Sequence, residues 1–367
     1  MHAKFHFYQL SSFLYKYKKV GFYMVQPKKT TRHLHVKPFV SVILGCVGIL
    51  ILLFLGTLSI LYGASSIDVA TIVQSVFHFD AGNSQHVIIR ELRIPRAVAA
   101  IAVGAALAVS GAIMQGMTKN PLASPSIMGV TAGSSFVLSL AMAILPSLPH
   151  HSLILFSFLG AGLGAFLVFG MVALAKGGIT PLRLVLAGSA ITSLLTSLST
   201  IISIRFDIAK DISFFYAGGV SSIQLHHLSF AMPAIAIGLV FAILLSQSIT
   251  VLSLGEDIAK GLGQNTTRIQ LFGTITVLIL TGAAVSIAGM IGFVGLVIPH
   301  ITRFFVGLDY RFIIPCSAIL GGILLLGADI VGRMVNPPFE TPVGAITALV
   351  GVPFFLYLAR KEGRTLN

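Results

Sequence analysis

Charged residues are scarce in this sequence and are missing from long stretches of it. Asp, Glu, Lys and Arg make up 10% of the 367 residues, and none of them occurs in residues 120–175, 212–255 or 269–302. A soluble domain needs polar side chains over its surface, so this scarcity excludes an ordinary soluble fold. Each uncharged stretch is long enough for one or two membrane-crossing helices of about 20 residues.

Cysteine is also rare. The two cysteines, Cys46 and Cys316, lie in apolar stretches, so they say nothing about disulfides or redox compartment. Inside a bilayer the backbone polar groups must be hydrogen-bonded within the protein, which leaves helices and closed barrels. The apolar runs lack the two-residue alternation of barrel strands. The sequence therefore predicts an all-α polytopic membrane protein.

Positive charge is present, but its distribution argues against a nucleic-acid partner. The net charge is +13, and eight of the 24 Lys and Arg residues precede the first apolar run. Basic residues beside a first span indicate an anchor at the anionic headgroups of the cytoplasmic leaflet. We expect a basic cytoplasmic extension at residues 1–38, a single transmembrane domain at residues 39–360, and a cytoplasmic tail at residues 361–367.

The apolar runs predict about ten crossings. They fall at about 39–62, 94–117, 128–146, 152–175, 182–204, 227–249, 269–289, 292–306, 312–335 and 342–359. With the N-terminus in the cytoplasm, the inner segments hold 18 Lys and Arg residues and the outer segments hold five. This asymmetry supports an even number of crossings and two cytoplasmic termini. The eighth crossing is short for a complete span.

The two halves of the chain share an internal repeat. Each matched position recurs 178 residues later: Gly104-Ala105-Ala106, Gly111, Pro121 and Gly129 match Gly282-Ala283-Ala284, Gly289, Pro299 and Gly307. The repeats, at about 94–204 and 269–360, start an odd number of crossings apart and so have opposite orientations. Inverted repeats are typical of transporters, although channels also carry them.

Arginines mark the predicted outer surface. Arg93 and Arg96 flank Pro95 at the start of the second crossing, on one helix face. They could extend to the membrane interface, or they could bind carboxylates of an external partner, which the planar guanidinium suits. Inside the ninth crossing, Asp329 and Arg333 are four residues apart and are predicted to pair.

The connection between the sixth and seventh crossings, residues 254–263, lies on the predicted inner side. Glycines at both ends and apolar residues at helical spacing predict short amphipathic helices with a tight turn. Such a helix could dock into a groove on a partner or lie at the membrane interface. The residues assigned to this site are Gly255, Glu256, Ile258, Ala259, Leu262 and Gly263.

A stripe of hydroxyl side chains runs along the fifth crossing at intervals of three or four residues. Its members are Ser189, Thr192, Ser193, Thr196, Ser197, Thr200 and Ser203. Hydroxyls can bond back to their own helix or to a neighbouring one. Alternatively, the stripe could line a weakly polar translocation path for a bulky solute.

Several signatures are absent from the sequence. It contains no chain of intramembrane carboxylates that could relay protons, which disfavours an ion-driven carrier. It contains no phosphate-binding loop, nucleophile elbow or zinc-ligand helix, so we expect no enzymatic activity, no cofactor and no metal site. If nucleotide energy drives transport, a separate subunit must supply it. A secondary carrier and a channel remain the alternatives.

Four segments resemble the FecCD-type permeases of ABC importers for iron–siderophores, haem and vitamin B12. They are RIPRAVAAIAVGAALAVSGAIMQGMTKNPLASPSIMGVTAG at 93–133, SLGEDIAKGLG at 253–263, GMIGFVGLVIPHITR at 289–303 and GADIVGR at 327–333. The resemblance extends over about 40–360. It implies ten helices in a bacterial cytoplasmic membrane, a second permease subunit, identical or sister, two cytoplasmic ATPase subunits and an external solute-binding protein.

The resemblance also implies roles for individual residues. Arg93, Arg96 and Arg333 match arginines that meet carboxylates of the binding protein. Residues 255–263 match the coupling helices that sit in the ATPase cleft, and the fifth crossing matches a pore-lining helix. A ferric siderophore is the expected substrate, with haem or cobalamin as alternatives.

Overall fold

The computed structural model describes residues 38–62, 68–174, 181–221, 223–337 and 339–363. Within these residues the chain forms helices and no strands. The predicted basic extension lies outside the described residues, apart from Pro38. Residues 364–367 of the predicted tail also lie outside them.

Fourteen α-helices are described. In chain order they are α1 (Pro38–Leu61), α2 (Val69–Phe77), α3 (Ser84–Ile88), α4 (Ile94–Thr118), α5 (Val130–Ile144), α6 (His150–Leu174), α7 (Pro181–Arg205), α8 (Ala209–Ala217), α9 (Leu225–Leu254), α10 (Glu256–Gly261), α11 (Thr266–Ala288), α12 (Val294–Val306), α13 (Tyr310–Met334) and α14 (Val343–Gly363). A π-helical turn, Ile89–Arg93, precedes α4, and a 3₁₀ turn, Pro125–Met128, precedes α5.

Each of the ten predicted crossings corresponds to one of these helices. Seven are long and apolar enough to cross a membrane, and α5, α12 and α14 contain shorter apolar stretches. The predicted short eighth crossing is confirmed as α12, whose 13 residues rise by about 20 Å against a hydrocarbon core of roughly 30 Å. The other four helices are short connecting elements.

Helix α4 lies at the centre of the bundle. Nearly all of its side chains are buried, whereas α1 buries only Ser41, Gly48 and Ser59. Its small residues let other backbones approach closely, because a Cβ at Gly104 would overlap the carbonyl of Gly321 in α13. The Gly-Ala-rich sequence of α4 is therefore a packing requirement.

Two ends of the bundle contain the predicted sites. We call the end with Arg93, Arg96 and Arg333 the arginine end, and the end with residues 255–263 the loop end. Helix α4 starts at the arginine end and finishes at Lys119, whose charge acts on Glu256 of the loop end. Helix α11 runs the opposite way, as the inverted repeat requires.

Residues 289–293, between α11 and α12, are not helical. Their backbone is held by other protein segments, since the Met290 amide donates to the Phe215 carbonyl of α8 at 3.1 Å. Gly289 has a positive φ of 64° and packs against Phe215 as well. Helix α8 is therefore joined to the break between α11 and α12.

The packing of α4 predicts that Gly104→Ala destabilises the protein, because the new methyl would force α4 and α13 apart. We expect a loss of about 1–3 kcal/mol, seen as a lower thermal-unfolding midpoint in detergent. Gly56→Ala in α1 is the matched control, since a Cβ there meets nothing within 4 Å. The control should be neutral or slightly stabilising, and equal effects of the two changes would contradict the packing argument.

Candidate functional site

Arg93 is the most enclosed of the three predicted docking arginines. It ends the π-helical turn and is only 7% exposed. Its Nη1 donates to the carbonyls of Ile60 at 2.5 Å and Leu61 at 3.0 Å. These carbonyls end α1, where backbone acceptors have no partner within the helix and a positive charge is favourable. Arg93 thus joins the end of α1 to the start of α4.

Arg96 binds two carboxylates. Its Nε and Nη2 donate to Asp329 at 3.0 and 2.9 Å, and its Nη1 donates to Glu340 at 2.7 Å. Asp329 is completely buried, whereas the Glu340 side chain is 43% exposed. The planar fork of an arginine fits this arrangement, because it presents parallel N–H groups to a carboxylate.

Arg333 shares the same buried carboxylate. Its Nη2 lies 2.9 Å from Oδ2 of Asp329, which confirms the predicted pair. The guanidinium also donates to the carbonyl and hydroxyl of Ser59 at 3.0 and 2.7 Å. One carboxylate therefore holds two arginines, and both are also tied to neighbouring elements.

The side chains at the arginine end therefore form a connected network in which one carboxylate, that of Glu340, is exposed and could be replaced by a carboxylate of a partner. Arg96 and Arg333 each expose a small part of their side chains, 13% and 9%, so a partner could reach them. Of their carboxylate ligands, only Glu340 is exposed. Glu340 was not among the predicted site residues, although it is one of only 11 acidic residues in the chain and lies three residues before the start of α14.

The shared carboxylate predicts a large effect of Asp329→Asn. The change would leave two close guanidinium groups without their common buried partner, and breaking such a pair costs about 3–5 kcal/mol. The thermal-unfolding midpoint of the purified protein should fall clearly. Glu340→Gln removes an exposed ion pair and should cost at most about 1 kcal/mol. Similar effects of the two changes would contradict a central role for Asp329.

At the loop end, α10 is the short helix that the sequence predicts. Gly255 precedes it with φ 146° and ψ 147°, a conformation that side chains disfavour. Ala259 faces the protein and is buried, while Ile258 and Leu262 are 51% and 66% exposed. They are one helical turn apart, so α10 presents two neighbouring apolar side chains away from the bundle.

The loop is held firmly in place. Glu256 pairs with Lys260 at 3.1 Å and accepts a hydrogen bond from Thr266 of α11 at 3.4 Å. The hydrogen bond and charge of Lys260 lower the pKa of the Glu256 carboxyl. Asn265 caps α11 by accepting from the Arg268 amide at 3.0 Å. Helix α10 is therefore linked to α11 through Glu256 and Thr266.

The predicted hydroxyl stripe on α7 is only partly turned into the subunit. Ser189, Ser193, Ser197 and Thr200 are exposed, Thr192 and Thr196 are half-buried, and Ser203 is buried. Thr200 donates to the Thr196 carbonyl at 2.9 Å, and Ser203 bonds back in the same way to Ser199. Thr200 and Ser203 are thus hydrogen-bonded to the backbone of their own helix. The other exposed hydroxyls, those of Ser189, Ser193 and Ser197, could contact a partner or a solute.

A second group of hydroxyls, not predicted from the sequence, joins α5, α7 and α8. Ser199 lies 2.6 Å from Ser139 and 2.9 Å from Ser135 between side-chain oxygens, and Ser135 donates to the Tyr216 hydroxyl at 2.7 Å. All three serines are completely buried. Ser135 and Ser139 are four residues apart on α5, which was a usable signal, but Ser199 of α7 was not included in the predicted stripe.

A cavity of about 700 Å³ opens at the arginine end. It lies between the end of α5, the start of α6, helix α8, residues 218–221 and 223, the end of α11 and residues 339–343. Its lining is mainly apolar. Its charged side chains are Arg96, Asp211 and Glu340, and its hydroxyl side chains are Ser157, Ser221, Ser286 and Thr341. No group of metal-ligating side chains is found among the residues that the structure describes.

Seven long and three shorter apolar helices, packed through small-residue contacts, define a helical membrane protein. The comparisons give the family. The FecCD transport family matches residues 50–361, and the chain belongs to that family.

The sequence similarity between this chain and known proteins extends over most of their lengths. The iron(3+)-hydroxamate import system permease protein FhuB of Bacillus subtilis is 58% identical over 318 residues, covering 86% of this chain and 83% of that protein. The ferric enterobactin transport system permease protein FepD of Escherichia coli is 35% identical, covering 86% and 95%. The cobalamin import system permease protein BtuC of Halobacterium salinarum is 38% identical, covering 78% of each.

A solved structure shows the same fold. An inward-facing conformation of a putative metal-chelate type ABC transporter superposes with a TM-score of 0.76 at 29% identity, covering 89% of this chain and all of that one. These relatives are transport permeases, so the chain is a multi-pass permease and not an enzyme. The predicted fold class is confirmed.

Proposed function

We propose that this chain is the membrane-spanning subunit of an ATP-driven importer that carries a ferric siderophore. The observation that carries the proposal is the opposite placement of two sites on one rigid bundle. An arginine–carboxylate network lies at one end, and a firmly held helix with two exposed apolar side chains lies at the other. The 58% identity with an iron(3+)-hydroxamate permease supports iron chelates as the substrate class.

The proposed assembly places the arginine end outside a bacterial cytoplasmic membrane and the loop end in the cytoplasm, with both termini inside. An external solute-binding protein would dock at Arg93, Arg96 and Arg333. Two ATPase subunits and a second permease subunit, identical or sister, would complete the importer. The hydroxyls Ser189, Thr192, Ser193, Thr196 and Thr200 would line part of the translocation path, and three of them, Ser189, Ser193 and Thr200, are exposed on the subunit.

Transport in this assembly is mechanical. ATP binding would close the ATPase subunits around α10 and shift it. Because Glu256 is bonded to Thr266 and the base of α10 is buried through Ala259, the shift would pass directly to α9 and α11. Ile258 and Leu262 would be the anchors in the ATPase groove, as exposed apolar residues one turn apart commonly are in helix-in-groove docking.

The anchor role predicts that Leu262→Ser uncouples the importer. Losing an anchor of a small interface should lower ATP-dependent uptake of iron chelate about tenfold or more in vesicles that contain the complete importer. Leu271→Ser in α11 is the control, because it makes the same change at an exposed leucine, 56% exposed, that is not part of residues 254–263. Unchanged uptake in Leu262→Ser, or uptake driven by an ion gradient without ATP, would contradict the proposal.

Docking at the arginine end is best tested through Glu340. Reversing the charge of Arg96 would place a second carboxylate beside buried Asp329 and so disturb folding, whereas Glu340 is exposed and holds only Nη1 of Arg96. In the docked state a carboxylate of the binding protein would replace Glu340 on that nitrogen. Glu340→Gln should therefore tighten binding of the loaded binding protein by about two- to fivefold, the strength of an exposed ion pair.

The measurement is the Kd of the binding protein for the permease complex in lipid nanodiscs. Glu91→Gln provides the matched control, because Glu91 is an exposed carboxylate on the segment that leads into α4. That control should leave the Kd unchanged. Weaker binding in Glu340→Gln would show that Glu340 positions Arg96 rather than competes for it, and would reject docking by carboxylate exchange.

A further inference from the structure

Helix α2 presents an apolar side away from the protein. Its outward residues are Val69, Val73, Val76 and Phe77, which we call the α2 stripe, and they are 52–75% exposed. Because successive residues of a helix turn by about 100°, these four side chains share an arc of roughly 100°. The nine residues of α2 include no charged side chain. A helix that turned this side to water would carry polar residues on it.

The side of α2 that packs against the protein is the more polar one. Ser75 is buried and donates to the Ile72 carbonyl at 2.7 Å, and Thr71 and Ile72 are half-buried. This polarity is the reverse of that of a surface helix in a soluble protein, whose apolar side faces the core. The reversal indicates that the surroundings of the α2 stripe are apolar.

Helix α2 lies where membrane-crossing helices end. It contacts α1 and the π-helical turn Ile89–Arg93, and Arg93 of that turn binds the last carbonyls of α1. Tyr62, directly after α1, is 56% exposed, and tyrosine is enriched at membrane–water boundaries. The α2 stripe is therefore close to the boundary between the acyl chains and the headgroups at the arginine end.

The residues after α2 fix its orientation on the bundle. The Asp80 amide donates to Nδ1 of His86 in α3 at 3.2 Å, and His86 is buried. The guanidinium of Arg90, an exposed residue, lies over the Phe79 ring, 4.5 Å from its centroid. An arginine beside an aromatic ring suits the level of the lipid phosphates. These contacts join α2 to the segment that leads into α4.

We propose that α2 is an interfacial helix, with the α2 stripe inserted into the leaflet at the arginine end and Arg90 at the phosphates. Such helices bury their apolar side by about 5–10 Å. Lipid is the partner because the α2 stripe offers no hydrogen-bonding side chain to a protein. It also adjoins α1, which buries only three of its 24 residues and so faces lipid over most of its surface.

This interfacial helix ties the start of α4 to the surface of the leaflet. The π-helical turn contacts α2 and continues directly into α4. Lipid contact at the α2 stripe thus keeps Arg93 and Arg96 at the level of the membrane surface. The inference uses only the membrane placement of the bundle, so it holds or fails independently of the proposed substrate and energy source.

The first experiment places a fluorescent probe in the α2 stripe. The chain contains no tryptophan, so Phe77→Trp gives a single reporter in the full-length permease. The lipid nanodiscs contain phospholipid with bromine on the acyl chains near the headgroup, which quenches tryptophan on contact. The Phe77→Trp protein should emit at short wavelength and be quenched, and bromine at the bilayer centre should quench it less. Phe339→Trp is the control, because Phe339 is 72% exposed but lines the cavity, so it should not be quenched.

The second experiment puts a charge into the α2 stripe of the Phe77→Trp protein. Val73 and Phe77 are one helical turn apart, and a carboxylate is costly among acyl chains. Val73→Asp should therefore lift the helix and lower the quenching. Gln74→Asp is the matched control, since it adds the same residue at an exposed position outside the α2 stripe and should leave the quenching unchanged. Both sites are exposed, so neither change should lower the unfolding midpoint.

Every outcome bears on the proposal. Quenching of Phe77→Trp that is absent in Phe339→Trp and reduced by Val73→Asp alone supports it. Long-wavelength emission without quenching would show that the α2 stripe faces water. Short-wavelength emission without quenching would show that protein covers it, such as a second copy of this chain. Either of these results, or equal effects of the two aspartates, overturns the proposal. Uptake of iron chelates enters none of these measurements, so the proposed function is tested separately.

Discussion

The arrangement of the arginine end depends on one buried carboxylate, that of Asp329. A charge in an apolar region must be paired, and Asp329 is completely buried between two guanidinium groups. Through Arg96 it fixes the start of α4, and through Arg333 it fixes α13 and reaches Ser59 of α1. Because these contacts converge on one side chain, Asp329 holds three membrane helices, α1, α4 and α13, in position relative to one another.

From that point α4 passes through the bundle to the loop end. Its glycines and alanines give it little side-chain volume, so α12 and α13 pack almost against its backbone, as Gly295 does at Gly111. Close backbone packing resists sliding more than contacts between long, flexible side chains do. Helix α4 therefore provides a stiff connection between the face proposed for the binding protein and the face proposed for the ATPase subunits.

Much of this could be predicted from sequence. The uncharged runs predicted the positions of the helices, because the thickness of the bilayer and the need to hydrogen-bond every backbone group allow few other structures. The Asp329–Arg333 pair and the short helix at Glu256 followed from helical spacing. Glu340 and the Asp211–Ser157 cavity could not be predicted, since they depend on which helix ends come together. The exposure of Ser193 and the burial of Ser199 likewise depend on how α7 is rotated against α5.

The break at residues 289–293 has a consequence for the smallest helices. Lipid tails offer no hydrogen bonds, so the N–H and C=O groups of non-helical backbone near the bilayer must hydrogen-bond to other parts of the protein. For Met290 that part is α8, a helix of only nine residues that cannot span a membrane. Helix α8 therefore provides a hydrogen-bond acceptor for the backbone just before α12. Its nine residues are accordingly as integral to the membrane domain as any full crossing.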